Sequence, residues 1–138
     1  MAHVLFVCIQ NAGRSQMSEA LFLRASEGRH TAESAGTRPA QHVHPEVVAV
    51  MQELGIDLGS RVPQRLTPAL AERADVVVTM GCGDECPFIP GVRYVDWELT
   101  DPSGRSLDEV RAVRDEIERR VTELASDLDS TAGRRAAV

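Results

Sequence analysis

The chain has 138 residues, a length typical of a single domain with one hydrophobic core. Hydrophobic residues make up 43% of the sequence, and no apolar run approaches the ~20 residues that a membrane-spanning helix needs. The net charge of -6 argues against nucleic-acid partners, and the first residues do not resemble a signal peptide. We therefore expect a cytoplasmic protein without membrane partners. Our further expectations are a monomer without a cofactor or a metal.

Apolar patterning predicts strands that alternate with helices along the chain. The first apolar run predicts a buried strand over His3 to Val7, followed by a helix over Ser15 to Ser26. This alternation predicts an α/β fold in which a four-stranded parallel sheet carries helices on both faces. We expect one domain over residues 1–128 and a disordered tail over 129–138. The remaining predicted elements are a strand over Thr31 to Ala35, a helix from Pro45 to Gly55, a short helix over Pro68 to Arg73, a strand over Asp75 to Met80, a strand over Val92 to Val95, and a long final helix.

The inward faces of two helices follow from the spacing of their apolar residues. In the first helix, either Met17, Leu21 and Ala25 or Ala20 and Leu23 are expected to face the sheet. Apolar residues of the final helix recur at steps of three or four, which predicts a buried stripe. That stripe consists of Leu107, Val110, Val113, Ile117, Val121, Leu124 and Leu128.

The loop between the first strand and the first helix has the composition of an oxyanion site. Backbone N–H groups of such a loop can converge on a tetrahedral anion, and the helix that follows adds its positive N-terminal end. Arg14 offers a planar fork of donors, Gly13 permits close approach of the backbone, and Asn11 tolerates a left-handed conformation. We predict that the anion contacts the whole loop after Cys8, namely Ile9, Gln10, Asn11, Ala12, Gly13, Arg14 and Ser15.

Cys8 is the predicted nucleophile of this loop. Thiols at helix N-termini and beside cations ionise more readily than free thiols, and the Ser15 hydroxyl is a candidate hydrogen-bond donor to the sulfur. The alternative is a buried structural cysteine at the end of a strand, with Arg14 exposed to solvent. The setting between an apolar strand and an amphipathic helix favours the catalytic interpretation.

Two further cysteines, Cys82 and Cys86, follow the third predicted strand. If that strand pairs with the first, the two strand ends lie about 4.8 Å apart, so the loop carrying Cys82 could reach Cys8. A separation of four residues also permits pairing of Cys82 with Cys86. Two alternatives remain: a zinc site that would need His42 and His44 as further ligands, and incidental loop thiols.

Asp101 follows the fourth predicted strand and precedes Pro102. Carboxyl ends of parallel strands meet at one edge of a sheet, so this carboxyl group is expected near Cys8. There it could protonate an oxygen that departs when the anion is attacked.

These motifs resemble the low-molecular-weight protein tyrosine phosphatase family. The resemblance rests on the Cys8 to Ser15 loop, with further matches at Ser34 to Thr37, His44-Pro45 and Asp96 to Pro102. Gln16 and Met17 after the loop are similar to the arsenate reductase branch, since phosphatases usually carry Pro after that Ser. The resemblance implies catalytic roles for Cys8, Arg14, Cys82, Cys86 and Asp101, with arsenate as substrate.

The expected chemistry is a relay of three thiols. Cys8 forms a thiol-arsenate adduct, Cys82 attacks Cys8 as arsenite leaves, and Cys86 then forms a disulfide with Cys82. The resemblance implies thioredoxin as the reductant of that disulfide. Alternatives are a low-molecular-weight thiol with a glutaredoxin-like protein, a phosphatase in which Cys82 and Cys86 are incidental, and a non-catalytic oxyanion or redox sensor.

The resemblance also concerns a potassium ion. Some members of the family bind this ion near the loop through residues that correspond to Asn11, Glu19 and Ser34. The Thr and Asp that those members add from a later loop correspond to Val62 and Gln64 in this chain. This departure argues against an ion site of that composition in this chain.

Overall fold

Four parallel strands form one sheet in the computed structural model, which describes residues 1–81 and 90–136, with side chains through residue 130. The sheet order is β2-β1-β3-β4, which confirms the predicted α/β fold and the predicted pairing of the first and third strands. The strands are β1 (His3–Cys8), β2 (Thr31–Gly36), β3 (Val76–Thr79) and β4 (Arg93–Asp96). The helices are α1 (Arg14–Ser26), α2 (Pro45–Gln52), α3 (Pro68–Glu72) and α4 (Leu107–Ala136).

The central strand β1 is buried on both faces because its alternate residues enter two separate cores. Val4 and Phe6 lie in the larger core with the apolar residues of α1, α2 and α4. Leu5 and Val7 point to the other face, into a smaller core with α3. Strands that are covered on both faces need apolar residues at every position, which explains the unbroken apolar run of the first strand.

The inward faces of the helices differ in detail from the prediction. In α1 the buried apolar residues are Met17, Leu21 and Phe22, whereas Ala20 and Ala25 are half-buried. The Phe22 ring packs against Phe6 with ring centroids 5.6 Å apart, so its burial depends on a contact with the sheet. The other residues of the predicted stripe on α4 are buried, but its first member, Leu107, is 43% exposed at the start of the helix.

Helix α4 continues past Leu128, where the predicted domain boundary lies, to Ala136. Asp129 explains part of this extension. Its carboxylate accepts hydrogen bonds from Nε of Arg29 at 3.0 Å and from Nε2 of the buried His30 at 2.8 Å. The other ring nitrogen of His30 accepts from the backbone N–H of Ala2, which leaves Nε2 as the donor. The start of β1 and the end of α4 are thereby joined.

The sheet order determines where the candidate site lies. The carboxyl ends of β1 and β3 are neighbours, with Val7 aligned with Thr79, and each leads directly into a loop with predicted functional residues. Within the described ranges, no helix is long and apolar enough to cross a membrane.

Candidate active site

The loop after β1 turns its carbonyl groups away from the cleft. The carbonyl oxygens of Cys8, Ile9 and Gln10 accept hydrogen bonds from backbone N–H groups of residues 37–40 at 3.3, 2.8 and 2.9 Å. The carbonyl of Ala12 accepts from His44 N at 2.9 Å. Because N–H and C=O point in opposite directions across a trans peptide, the N–H groups that follow these carbonyls face the opposite side. The loop therefore presents backbone donors to an anion in the cleft.

Asn11 stabilises the loop from within. Its φ of 50° lies in the left-handed region, as the sequence predicts. The side-chain oxygen accepts hydrogen bonds from Gln64 N at 2.9 Å and from Gln16 Nε2 at 3.1 Å, while Nδ2 donates to Ser15 Oγ at 2.8 Å. A backbone N–H can only donate, so the bond from Gln64 fixes which end of the amide faces Ser15.

This orientation directs the Ser15 hydroxyl towards Cys8. Oγ of Ser15 lies 2.9 Å from Sγ of Cys8, and both residues are buried. Since Ser15 Oγ accepts from Asn11, its own proton is available to the sulfur, and the arrangement is suited to a thiolate acceptor. The geometry supports the predicted nucleophile at Cys8 rather than an inert core thiol.

Arg14 begins α1 and is 7% exposed. Its Nη1 donates to the carbonyl oxygen of Leu99 at 3.3 Å, and Nη2 lies 3.8 Å from the carboxylate of Asp101. The Asp101 side chain is 58% exposed and accepts a hydrogen bond from Ser103 N at 3.0 Å. The loop after β4 thus carries Asp101 to the guanidinium of Arg14, and both side chains line one cavity with Cys8.

Gly13 joins the two loops in a way that the sequence does not predict. A Cβ atom at this position would lie 2.9 Å from Cγ of Pro102 and 3.5 Å from Cδ2 of His44. The missing side chain therefore makes room for Pro102, which brings the Asp101 loop close to the Cys8 loop. Gly36 has a similar role on the other side of the loop, where a Cβ would lie 2.6 Å from Ile9 O.

A cavity of about 240 Å³ lies among these residues. This volume is smaller than the ~300–1,000 Å³ of clefts that hold drug-sized ligands, and it suits a small oxyanion. His44 also lines the cavity, a position that the sequence does not predict. The available signal is the match of His44-Pro45 to the family. No Phe, Tyr or Trp is among the described lining residues, which are Cys8, Ile9, Gln10, Gly13, Arg14, His44, Asp101 and Ser103.

Cys82 and Cys86 lie outside the described residues, as does the zinc site that would include them. Gly81, the residue that precedes Cys82, is described: a Cβ on it would lie 2.5 Å from Nη1 of Arg14. Within the described parts of the chain, no three His, Cys, Asp or Glu side chains form a group that could hold a metal ion.

The positions that correspond to potassium ligands in some family members are bonded to other groups of this chain. Glu19 accepts from Ser34 Oγ at 2.7 Å and from Arg61 Nη1 at 2.5 Å. The side-chain amide of Gln64 donates to the backbone oxygen of Ser34 at 2.8 Å. Sequence patterning does not predict these contacts of Arg61 and Gln64.

The fold and the site define a class of α/β proteins that bind oxyanions beside a cysteine. Its features are a strand, a Cys-x5-Arg-Ser loop, a helix, and an Asp from a loop much later in the chain. The low molecular weight phosphotyrosine protein phosphatase family matches residues 3–134, and the chain belongs to this family.

Several curated relatives are named as arsenate reductases. A Halobacterium salinarum protein assigned as an arsenate reductase is 45% identical over 90% of this chain and 91% of its own length. The glutaredoxin arsenate reductase of a Synechocystis species is 34% identical over 93% of this chain and 99% of its own.

Solved structures show the same likeness. The thioredoxin-dependent arsenate reductase of Corynebacterium glutamicum has a TM-score of 0.80 and 36% identity, over 95% of this chain and 63% of that chain. An arsenate reductase in the phosphate binding state has a TM-score of 0.81 and 34% identity, over 92% and 98% of the two chains. The arginine phosphatase from Geobacillus stearothermophilus has a TM-score of 0.79 and 26% identity, over 95% of both chains.

Proposed function

We propose that the protein reduces arsenate to arsenite at Cys8 and passes the resulting oxidation to Cys82 and Cys86. One observation carries this proposal. Gly81 packs against the guanidinium of Arg14 in the oxyanion cavity, and Cys82 is the next residue in the chain. The residue that precedes a second cysteine in the sequence therefore contacts Arg14, which lines the cavity together with Cys8. The arsenate reductases among the similar proteins support the same substrate.

In the first step the thiolate of Cys8 attacks the arsenic of bound arsenate. An S–As bond forms and an As–O bond breaks, and the departing oxygen leaves as water after Asp101 donates a proton. Arg14 and the loop N–H groups stabilise the charge on the remaining oxygens. Arsenic stays pentavalent in the thiol-arsenate adduct.

The second step transfers two electrons. The thiolate of Cys82 attacks Sγ of Cys8, the S–As electron pair moves to arsenic, and arsenite leaves as a Cys8–Cys82 disulfide forms. Cys86 then attacks Cys82, which releases Cys8 as a thiolate and leaves a Cys82–Cys86 disulfide. One arsenate is thus reduced for each Cys82–Cys86 disulfide that remains at the end of the sequence.

Thioredoxin is the proposed reductant of the Cys82–Cys86 disulfide. The similar structure from Corynebacterium glutamicum is named as thioredoxin-dependent, which supports this choice. The Synechocystis relative is named as a glutaredoxin enzyme, so a small thiol with a glutaredoxin-like protein is the competing coupling.

Phosphate-ester hydrolysis is the second candidate function. It needs Cys8, Arg14 and Asp101, all of which line the cavity, and does not need the other two thiols. The similarity to an arginine phosphatase also favours it. The lack of Phe, Tyr and Trp among the described lining residues favours a small inorganic anion over an aryl phosphate.

The test is NADPH oxidation coupled to arsenate, measured once with the thioredoxin system and once with a small thiol and glutaredoxin. We expect turnover with thioredoxin. Turnover restricted to the small-thiol system would contradict the thioredoxin coupling, and no turnover in either system would contradict the reductase.

Cysteine variants separate the two candidate functions in the same assay. Cys8→Ser should lose both arsenate turnover and phosphate-ester hydrolysis. Cys82→Ser should lose arsenate turnover and retain ester hydrolysis, whereas Cys86→Ser should complete one turnover with thioredoxin and then stop. Full arsenate turnover by Cys82→Ser would rule out the relay.

A further inference from the structure

A carboxylate lies behind the Cys8 loop without contacting the cavity. Glu19 is on α1, its side chain is 11% exposed, and it accepts from Ser34 Oγ at 2.7 Å. Its second oxygen accepts from Nη1 of Arg61 at 2.5 Å, and the Arg61 side chain is 37% exposed. A carboxylate at this depth needs a partner of opposite charge, since removal of that partner leaves an uncompensated buried charge.

The segment that contains Arg61 is also the segment that supports Asn11. Backbone N–H of Gln64 donates to Asn11 Oδ1 at 2.9 Å, and the Gln64 side chain donates to Ser34 O at 2.8 Å. Gln64 O accepts from Gly36 N at 2.9 Å, so the segment is held along the end of β2. Arg61 and Gln64 thus attach one short segment at two points, Glu19 and Asn11.

From Asn11 the path continues to the nucleophile. Asn11 Nδ2 donates to Ser15 Oγ at 2.8 Å, and Ser15 Oγ lies 2.9 Å from Sγ of Cys8. A displacement of Gln64 N would leave Asn11 Oδ1 with only the donor from Gln16 at 3.1 Å, and would thereby loosen the amide that orients the Ser15 hydroxyl. The ion pair at Glu19 is therefore connected to Cys8 through the backbone of residues 61–64 and then by the hydrogen bonds from Gln64 to Asn11, Ser15 and Cys8.

We propose that Arg61 is a positioning residue whose charge, through Glu19 and the 61–64 segment, fixes the Asn11–Ser15 pair that donates to Cys8. Its effect on Cys8 depends on balancing the buried Glu19 carboxylate. The proposal rests on Cys8 being the nucleophile, which is one part of the proposed function, and it is independent of Cys82, Cys86 and the reductant.

The chain offers a matched comparison on the same strand. Arg73 donates to Glu33 at 2.6 Å, and Glu33 is the neighbour of Ser34 on β2. The Arg73 side chain is 55% exposed and that of Glu33 28% exposed. Arg73→Met removes an Arg–Glu pair of the same type without touching the path to Cys8.

The experiment measures the rate of Cys8 alkylation by iodoacetamide against pH in the full-length protein, with Cys8 followed by peptide mass spectrometry. Arg61→Met should slow alkylation at pH 6 by about three- to tenfold, because the hydrogen bond to the thiolate is weakened. Arg73→Met should follow the wild-type curve. If Arg61→Met does not fold, Arg61→Gln replaces it in the same measurement, because it loses the charge but keeps a hydrogen-bond donor.

The double variant Glu19→Gln/Arg61→Met tests the role of charge. With no buried carboxylate to balance, and with Gln still able to accept from Ser34, its curve should return towards wild type. The proposal is overturned by a wild-type curve for Arg61→Met, by equal slowing in Arg73→Met, or by a double variant as slow as Arg61→Met. A wild-type Cys8 that resists alkylation would instead contradict the proposed function.

Discussion

A methyl group on Gly81 would lie 2.5 Å from Nη1 of Arg14, closer than Cβ atoms approach other heavy atoms in proteins. Gly81 also has a φ of +85°, in the region that glycine adopts without strain. The residue before Cys82 is therefore in direct contact with the guanidinium expected to bind the oxyanion. The start of the loop after β3 and the anion site after β1 are therefore in contact at this point.

Gly81→Ala should displace Arg14 more than it destabilises the fold, since the far end of an arginine side chain moves easily. We expect kcat/KM for both arsenate and p-nitrophenyl phosphate to fall about tenfold to a hundredfold, through misplacement of the guanidinium. Gly91→Ala is the control: Gly91 has a φ of +88° and nothing within 4 Å of its Cβ position. Equal losses in the two variants would show that backbone strain, and not contact with Arg14, causes the effect.

Ser15→Ala should lower the reactivity of Cys8. The variant removes the hydroxyl 2.9 Å from Sγ, and a hydrogen bond to a charged group contributes about 1.5–3 kcal/mol. We expect iodoacetamide alkylation of Cys8 at pH 6 to slow by roughly tenfold or more. Ser26→Ala, at a buried serine on the same helix whose hydroxyl donates to Leu23 O, should leave the rate unchanged. Unaltered alkylation in Ser15→Ala would argue against a thiolate acceptor.

Asp101→Asn should slow the hydrolysis of phosphate esters, and the loss should be larger for esters whose leaving alcohol is less acidic. We expect a loss of about a hundredfold or more with phenyl phosphate, whose alcohol is weakly acidic, and a smaller loss with p-nitrophenyl phosphate. Inhibition by inorganic phosphate should persist, because the substitution keeps Arg14 and removes the negative charge that lies 3.8 Å from its guanidinium. Equal losses with both esters would exclude Asp101 as the proton donor.

Glu53 links α2 to α4 and provides a pH-dependent contribution to stability. Hydrogen bonds from Arg111, and then from Arg114, lower the pKa of Glu53 from 4.5 to about 2. Since the folded-state pKa is below the unfolded value, the contribution is complete above pH 4.5 and is lost as the pH falls through about 2. Glu53→Gln should lower Tm at pH 7 by only roughly a few degrees, because solvent screens exposed ion pairs. The difference in Tm between the variant and the wild type should vanish near pH 2.

Thermal unfolding from pH 7 to pH 2 checks this prediction. Glu123→Gln is the control, because the Glu123 carboxylate is 73% exposed and lies 3.7 Å from Arg119 of the same helix. A constant difference in Tm between wild type and Glu53→Gln at all pH values would contradict the linkage.

The sequence predicts the parts of the molecule that depend on local pattern. The apolar residues of β3 and the recurring Val110 to Leu124 positions on α4 reflect regular periods, and both are buried as expected. The Cys8 loop was likewise recognisable, since its residue types and its place between a strand and a helix carry the chemistry. The position of Asp101 followed from the rule that the carboxyl ends of parallel strands share one edge.

Contacts between distant segments leave no periodic signal and were not predicted. Examples are the packing of Gly13 against Pro102 and the ion pair of Arg61 with Glu19. Burial of Phe22 depends on its contact with Phe6 of the sheet, and the extension of α4 depends on partners of Asp129 near the start of β2. Such details are set by tertiary packing, which overrides local preference.

The neighbouring positions of β1 and β3 have a consequence for how this family can diversify. The cavity is lined by residues 8–10, 13, 14, 44, 101 and 103, whereas the two remaining cysteines belong to one short stretch of sequence after β3. Anion binding and the proposed electron transfer therefore depend on separate segments of the sequence. A lineage could gain or lose the second by substitutions in a single loop while the first remained intact.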